Sequence, residues 1–285
     1  MKVIATIPDM VAASRSARRE HNRLGLVPTM GALHDGHLSL VRAAKSRCDA
    51  VTVSIFVNPT QFGPTEDFAK YPRTFERDRD LLQKEGVDFI FAPSVEEMYP
   101  AGAITWVTVE GMSDRLCGRS RPGHFRGVAT VVAKLFHIVE PDLAFFGQKD
   151  AAQAAIIRRM VRDLNLPVEI VVCPIVREPS GLAMSSRNAY LSAEQKQSAL
   201  VLYGSLQEIQ RRFHSGERES DKLIAAGKRI VAADASVRLD YLEIVDPETL
   251  EPLPAVSRTA LVAIAAFVGT TRLIDNVLLC NLGKL

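Results

Sequence analysis

The chain opens with short apolar runs alternating with stretches of helical spacing. Residues 24–27, 50–57, 87–91, 143–146 and 168–172 are rich in Val, Ile and Phe and mostly lack polar alternation. Strands covered on both faces read this way, because neither face meets water. Between them, 38–48, 76–85, 128–139 and 151–164 follow helical periodicity; in the last, Ile156, Ile157, Met160, Val161 and Leu164 share one face. This alternation predicts a doubly wound parallel sheet, an α/β, Rossmann-like architecture. Residues 104–109 read as a further strand with no assigned position in the sheet.

Beyond Asn188 the pattern changes. Ser192 and Gln195 form a capping-box signature, and Leu202, Leu206, Ile209 and Phe213 continue at helical spacing. Residues 238–245, 260–268 and 272–279 then read as strands, with Asp246-Pro247 and Gly269 as breaks. A second, smaller α+β domain is therefore expected. The boundary is placed between Cys173 and Asn188, dividing the chain into 1–175 and 176–285, with the smaller domain covering the active site.

Charge narrows the functional classes. Over 285 residues, 35 Lys+Arg against 33 Asp+Glu leave a net +2, and aromatics are 6%. That balance argues against a nucleic-acid or membrane surface. The cluster Arg15, Arg18, Arg19 and Arg23 reads as a solvated helix face. Cys48, Cys117, Cys173 and Cys280 are widely spaced, with no C-x-x-C pair, so neither a protein-bound metal nor a disulfide framework is indicated. The N-terminus lacks a signal-peptide core, and no run reaches the roughly 20 apolar residues of a membrane span. A cytoplasmic protein is expected.

The candidate chemistry sits where the first strand gives way to a helix, at Met30-Gly31-Ala32-Leu33-His34-Asp35-Gly36-His37. Gly31 and Gly36 let backbone amides approach a ligand, and a helix N-terminus favours an anion. Each imidazole can donate to oxygens that gain charge during a reaction. H-x-x-H spacing alone is a weak signal, but a second segment supplies context. In Gly181-Leu182-Ala183-Met184-Ser185-Ser186-Arg187-Asn188, hydroxyls beside a guanidinium suit phosphoryl oxygens.

Together the two segments resemble the signature pair of the nucleotidyltransferase superfamily that includes class I aminoacyl-tRNA synthetases. Three further segments follow in order: Phe56-Val57-Asn58-Pro59-Thr60-Gln61-Phe62-Gly63, Arg121-Pro122-Gly123-His124-Phe125-Arg126-Gly127-Val128 and Phe145-Phe146-Gly147-Gln148-Lys149-Asp150. With them, and with 241–247 and 272–276, the chain resembles the pantothenate synthetase family over nearly its whole length. It departs from the wider superfamily where synthetases carry K-M-S-K-S: Ala183 and Ser186 replace the lysines, leaving Lys149 and Arg187 to meet phosphate charge.

The resemblance implies a ligase of pantothenate biosynthesis that joins pantoate to β-alanine through pantoyl adenylate, releasing AMP and pyrophosphate. No protein nucleophile is needed, and no G-x-S-x-G elbow is present. His34, His37, Lys149, Ser186 and Arg187 become the catalytic candidates. Met30, Gly147, Asp150, Val176, Met184 and Ser185 are expected around ATP. Gln61, Gln153 and Asn58 are expected on pantoate, with Arg121 and His124 close to β-alanine and phosphate. Mg²⁺ is expected to arrive on ATP. Asp78 and Asp80, in Asp-Arg-Asp-Leu, read as exposed helix carboxylates and are left out of any metal site. The family also implies a homodimer.

Two other activities share part of this pattern. An adenylyltransferase acting on a phosphate monoester would want basic residues where Gln61 and Gln153 stand. A non-catalytic RNA-binding module would need a basic stripe and stacking aromatics.

Overall fold

The computed structural model describes residues 1–20, 23–64 and 66–280. Strands β1 (Lys2–Ile4), β2 (Leu24–Thr29), β3 (Ala50–Ile55), β4 (Phe89–Phe91), β5 (Leu143–Gly147) and β6 (Glu169–Cys173) form one sheet in the order β1-β4-β3-β2-β5-β6. Every neighbouring pair is parallel. From β2 the chain winds one way through β3 and β4, then returns to lay β5 and β6 on the other side. The order reverses between β2 and β5, and in doubly wound sheets ligands bind beyond the carboxyl ends of the strands at that point.

Successive strand residues enter opposite cores, as the two-residue period requires. Leu26 and Phe146 join Met10, Phe136, Ile157 and Met160 on one side. Val27 and Phe145 join Leu33, Val41, Val53 and Leu82 on the other. The helices are α1 (Ile7–Glu20), α2 (Asp35–Lys45), α3 (Phe75–Lys84), the single turns α4 (Val95–Met98) and α5 (Cys117–Ser120), α6 (His124–Val139) and α7 (Ala151–Asp163). Arg15 and Arg18 of α1 pair with Glu140 and Asp142 on the surface.

Two readings of the pattern are corrected. Residues 104–109 form no strand. Val107 N–H donates to the Thr130 hydroxyl at 3.0 Å instead of a neighbouring strand, and Ile104 is 84% exposed. Leu164 lies just past the end of α7 and is 52% exposed, so it leaves the buried face it was grouped with.

In the C-terminal part, α8 (Ala193–His214) and α9 (Ser220–Ala232) precede β7 (Val237–Val245), β8 (Thr259–Val268) and β9 (Thr271–Cys280). The strands make a three-stranded antiparallel sheet in sequence order. Ser192 and Gln195 form the capping box of α8, and Leu202, Leu206, Ile209 and Phe213 join Val262 and Ile264 of β8 in one core. The fold is α/β with a second α+β unit.

Two compact units result. One comprises Met1–Ser113, Arg121–Gly147 and Ile156–Pro174; the other takes Asp114–Ser120, Gln148–Ala155 and the chain from Ile175. No helix among the described residues is long and apolar enough to cross a membrane.

Candidate active site

In the first unit the chain leaves β2 through Met30 and turns sharply, with positive φ at Gly31 (79°) and Ala32 (51°). Asp78 of α3 holds this turn. Its carboxylate accepts the N–H groups of Ala32 and Leu33 at 2.8 and 2.9 Å and the Thr74 hydroxyl at 3.2 Å. Asp78 is 0% exposed, contrary to its reading as a solvated helix carboxylate. A buried carboxylate is tolerated because it accepts several hydrogen bonds, here from a turn that has no other use for those N–H groups.

His34, which follows, caps α2. Its backbone is extended (φ −139°, ψ 174°) and its Nδ1 accepts the Gly36 N–H at 3.1 Å. The Nδ1 of His37 in turn accepts the His34 N–H at 3.4 Å, completing a capping box built from two histidines. With both Nδ1 atoms accepting, each neutral ring carries its proton on Nε2 and can donate from there. The ring centroids lie 4.1 Å apart. Two such donors at a helix N-terminus suit adjacent anionic oxygens.

A second turn of the same unit, Pro59–Gln61, presents Gln61. Asn58 caps it and is 1% exposed; its Nδ2 donates to Gln61 Oε1 at 3.2 Å and to the Gly127 carbonyl at 3.1 Å. Both amide hydrogens of Asn58 are thus engaged within the protein, and they hold the Gln61 side chain beside it. Gln61 Nε2 in turn approaches Met30 Sδ at 3.0 Å, linking the glutamine turn to the histidine turn.

Arg121 and His124 also converge on Gln61, through its backbone. His124 donates from Nδ1 to the Gln61 carbonyl at 2.8 Å, and Arg121 donates to His124 Nε2 at 3.0 Å and to that carbonyl at 3.3 Å. Arg121 is further paired with both oxygens of Glu66, at 2.8 and 2.6 Å. Burial pushes the Glu66 carboxyl upward, but the Arg121 hydrogen bonds and charge outweigh it and hold it below its usual range. Glu66 was not singled out from the sequence, since nothing local in a chain signals a partner 55 residues away.

In the second unit, Lys149 and Asp150 lie in the turn Gln148–Asp150, which starts directly after Gly147 at the end of β5, and Gln153 follows in the first turn of α7. Val176 and Met184 are brought together across a tight hairpin, with Met184 N–H donating to the Val176 carbonyl at 3.0 Å. Arg177 and Ala183 form a bridge inside it. The chain then enters a short turn, Ser186–Tyr190, capped by Ser185, whose hydroxyl accepts the Arg187 N–H at 3.2 Å. Asn188 ties that turn to the hairpin through Glu178 at 2.8 Å and the Ala183 carbonyl at 3.1 Å.

The histidine cap, the glutamine turn and the Met-Ser-Ser-Arg turn all lie within residues 2–278, which match the family model of pantoate-beta-alanine ligase. The chain belongs to the pantoate-beta-alanine ligase family. It is 63% identical to the pantothenate synthetase of Acidobacterium capsulatum, covering 98% of this chain and 97% of that protein. The crystal structure of pantothenate synthetase from Thermus thermophilus is 48% identical, with a TM-score of 0.92 over 97% of this chain and 99% of that one. The pantoate-beta-alanine ligase of Francisella tularensis, complexed with beta-gamma ATP and beta-alanine, is 34% identical, with a TM-score of 0.80 over 98% and 97%. This chain is therefore an enzyme, a ligase. Among the ligase's described residues, no group of three or more His, Cys, Asp or Glu could hold a metal ion.

Proposed function

We propose that the ligase condenses pantoate with β-alanine in two halves. A pantoate carboxylate oxygen attacks the α-phosphorus of Mg·ATP, the bond to the β-phosphate breaks, and pyrophosphate leaves. The amine of β-alanine then attacks the acyl carbon of pantoyl adenylate, loses a proton, and AMP departs with the former carboxylate oxygen. Mg²⁺ is part of the substrate, carried by phosphate oxygens and water.

The observation that carries the proposal is the double-histidine cap of α2. Its two Nε2–H donors stand at a helix N-terminus beyond the carboxyl end of β2, where charge building on phosphoryl oxygens is stabilised without protein rearrangement. Lys149 bridges phosphate and the reacting carboxylate, while Ser186 and Arg187 grip the phosphates. Gln61 and Gln153 take the pantoate hydroxyl and carboxylate, since neutral amides both donate and accept. Asn58 stands beside Gln61 on the pantoate side, and Arg121 and His124 lie toward β-alanine and phosphate. Met30 and Ser185 lie toward the phosphates, Gly147 and Asp150 toward the ribose, and Val176 and Met184 toward adenine. A Cβ on Gly147 would meet no protein atom within 4 Å, so the backbone there leaves room for a ligand beside it. Homodimerisation and a cytoplasmic location follow from the family resemblance.

Pyrophosphate release with Mg·ATP and pantoate tests the proposal. A burst with pantoate alone, becoming sustained turnover to AMP and pantothenate when β-alanine is added, is expected. Release that ignores pantoate would sink it.

A further inference from the structure

Asp275 and Asn276 are consecutive on β9 and both buried, at 4% and 3% exposed. Successive side chains of a strand leave on opposite faces, so these two serve different neighbours. Asn276 Nδ2 donates to the carbonyls of Gln148 and Lys149, each at 2.9 Å, and its Oδ1 accepts Gln148 Nε2 at 3.0 Å. One amide thus closes the turn that presents Lys149. Only an amide fits: a carboxylate of the same shape would face two carbonyl oxygens, and an apolar side chain would leave three polar groups unpaired.

Asp275 receives Arg177 in a two-pronged pair, at 2.6 and 2.9 Å, and its Oδ1 also accepts the Asn276 N–H at 2.8 Å. The guanidinium lies 3.8 Å over the Tyr203 ring and donates to the Gly181 carbonyl at 3.0 Å. Arg177 and Gly181 belong to the hairpin that delivers Met184 and the Ser185–Arg187 turn. A buried ion pair adds little net stability, yet its two-pronged geometry fixes orientation.

We infer that Asp275 and Asn276 are positioning residues of the ligase. Asn276 sets the Lys149 turn, Asp275 sets the Met-Ser-Ser-Arg hairpin through Arg177, and their adjacency on one strand locks the two in register. The inference rests on the proposed role of Lys149 in adenylate formation.

The test measures pantoate-dependent pyrophosphate release, and separately the attack of β-alanine on preformed pantoyl adenylate, in Asn276→Ala, Asn276→Asp, Lys149→Ala and Asn276→Ala/Lys149→Ala. Misplacement of a reacting group by an ångström costs on the order of 100-fold, so each Asn276 variant is expected to lose about that much in kcat of the first half, with the second half spared. The double variant is expected within about twofold of Lys149→Ala, because Asn276 acts through the lysine. Losses that multiply in the double variant, or that fall equally on both halves, overturn the inference. Lys149→Ala at the wild-type rate overturns the lysine's role itself and the inference with it. If Asn276→Ala does not fold, Gln148→Ala removes one of the three hydrogen bonds from a partly exposed turn. Its smaller first-half loss is expected to vanish in the Lys149→Ala background, and persistence there counts against the inference.

Discussion

Asp78 Oδ2 accepts the backbone N–H of Ala32 at 2.8 Å, and through it a helix far along the chain sets the path of the turn that ends in His34. The companion bond to Leu33 makes the grip two-pronged. Asp78→Asn keeps the shape but turns an NH₂ donor toward an N–H donor. A loss of about 2–3 kcal/mol in unfolding free energy is expected, since hydrogen bonds to charged groups carry roughly that much. Denaturant melts measure it, and kcat should fall while KM for β-alanine stays near normal. Wild-type kcat in a folded Asp78→Asn variant would separate the turn from catalysis.

Gly127 is fixed by a close approach. A Cβ there would stand 2.3 Å from the Thr60 carbonyl oxygen and 2.7 Å from the Gln61 nitrogen. Gly127→Ala must push the Pro59–Gln61 turn away from α6, at a cost of about 1–3 kcal/mol for overpacking. Because Gln61, the proposed pantoate ligand, rides on that turn, KM for pantoate is expected to rise more than KM for ATP. Equal effects on both substrates would argue for general loosening.

Glu66 gives a pH dependence. Its folded carboxyl titrates below the ordinary 4.5, held there by Arg121 against the upward push of burial. The pair therefore contributes stability that is full above 4.5 and is lost as pH falls through the lower folded value. Melting temperatures of the wild type and Glu66→Gln should differ at neutral pH and converge in acid. A gap that stays constant, or widens in acid, contradicts the pairing.

In the proposed reaction His34→Ala and His37→Ala each remove a donor to developing phosphate charge, and about 100- to 1000-fold should be lost from kcat for adenylate formation. Each also removes half of a helix cap, worth about 1 kcal/mol, so the fold is retained. Circular dichroism alongside single-turnover assays checks both. Near-normal turnover in a folded variant would remove that histidine from the mechanism.

Five of the six sheet strands were legible because burial leaves apolar runs, as at Phe145 and Phe146, which enter opposite cores, whereas β1, three residues at the sheet edge with Lys2 and Val3 exposed, was not. The histidine turn was legible because glycines and a helix start mark it. What stayed hidden was long-range polar support. Glu66 and Asn276 meet partners 55 and 127 residues away, a relation no local pattern encodes. Asp78 lay nearer to view: it shares its helix face with Leu82, four residues on and fully buried, whereas Asp80 does not. Residues 104–109 misled because extended spacing alone does not supply a partner strand.

The central claim is that pantoate is activated by its carboxylate oxygen bonding to the α-phosphorus of ATP. Pantoate carrying ¹⁸O in its carboxylate, turned over with Mg·ATP and β-alanine, measures this directly by mass spectrometry of the products. The adenylate route predicts one labelled oxygen in AMP and none in pyrophosphate. Label in pyrophosphate or inorganic phosphate, with unlabelled AMP, would contradict it.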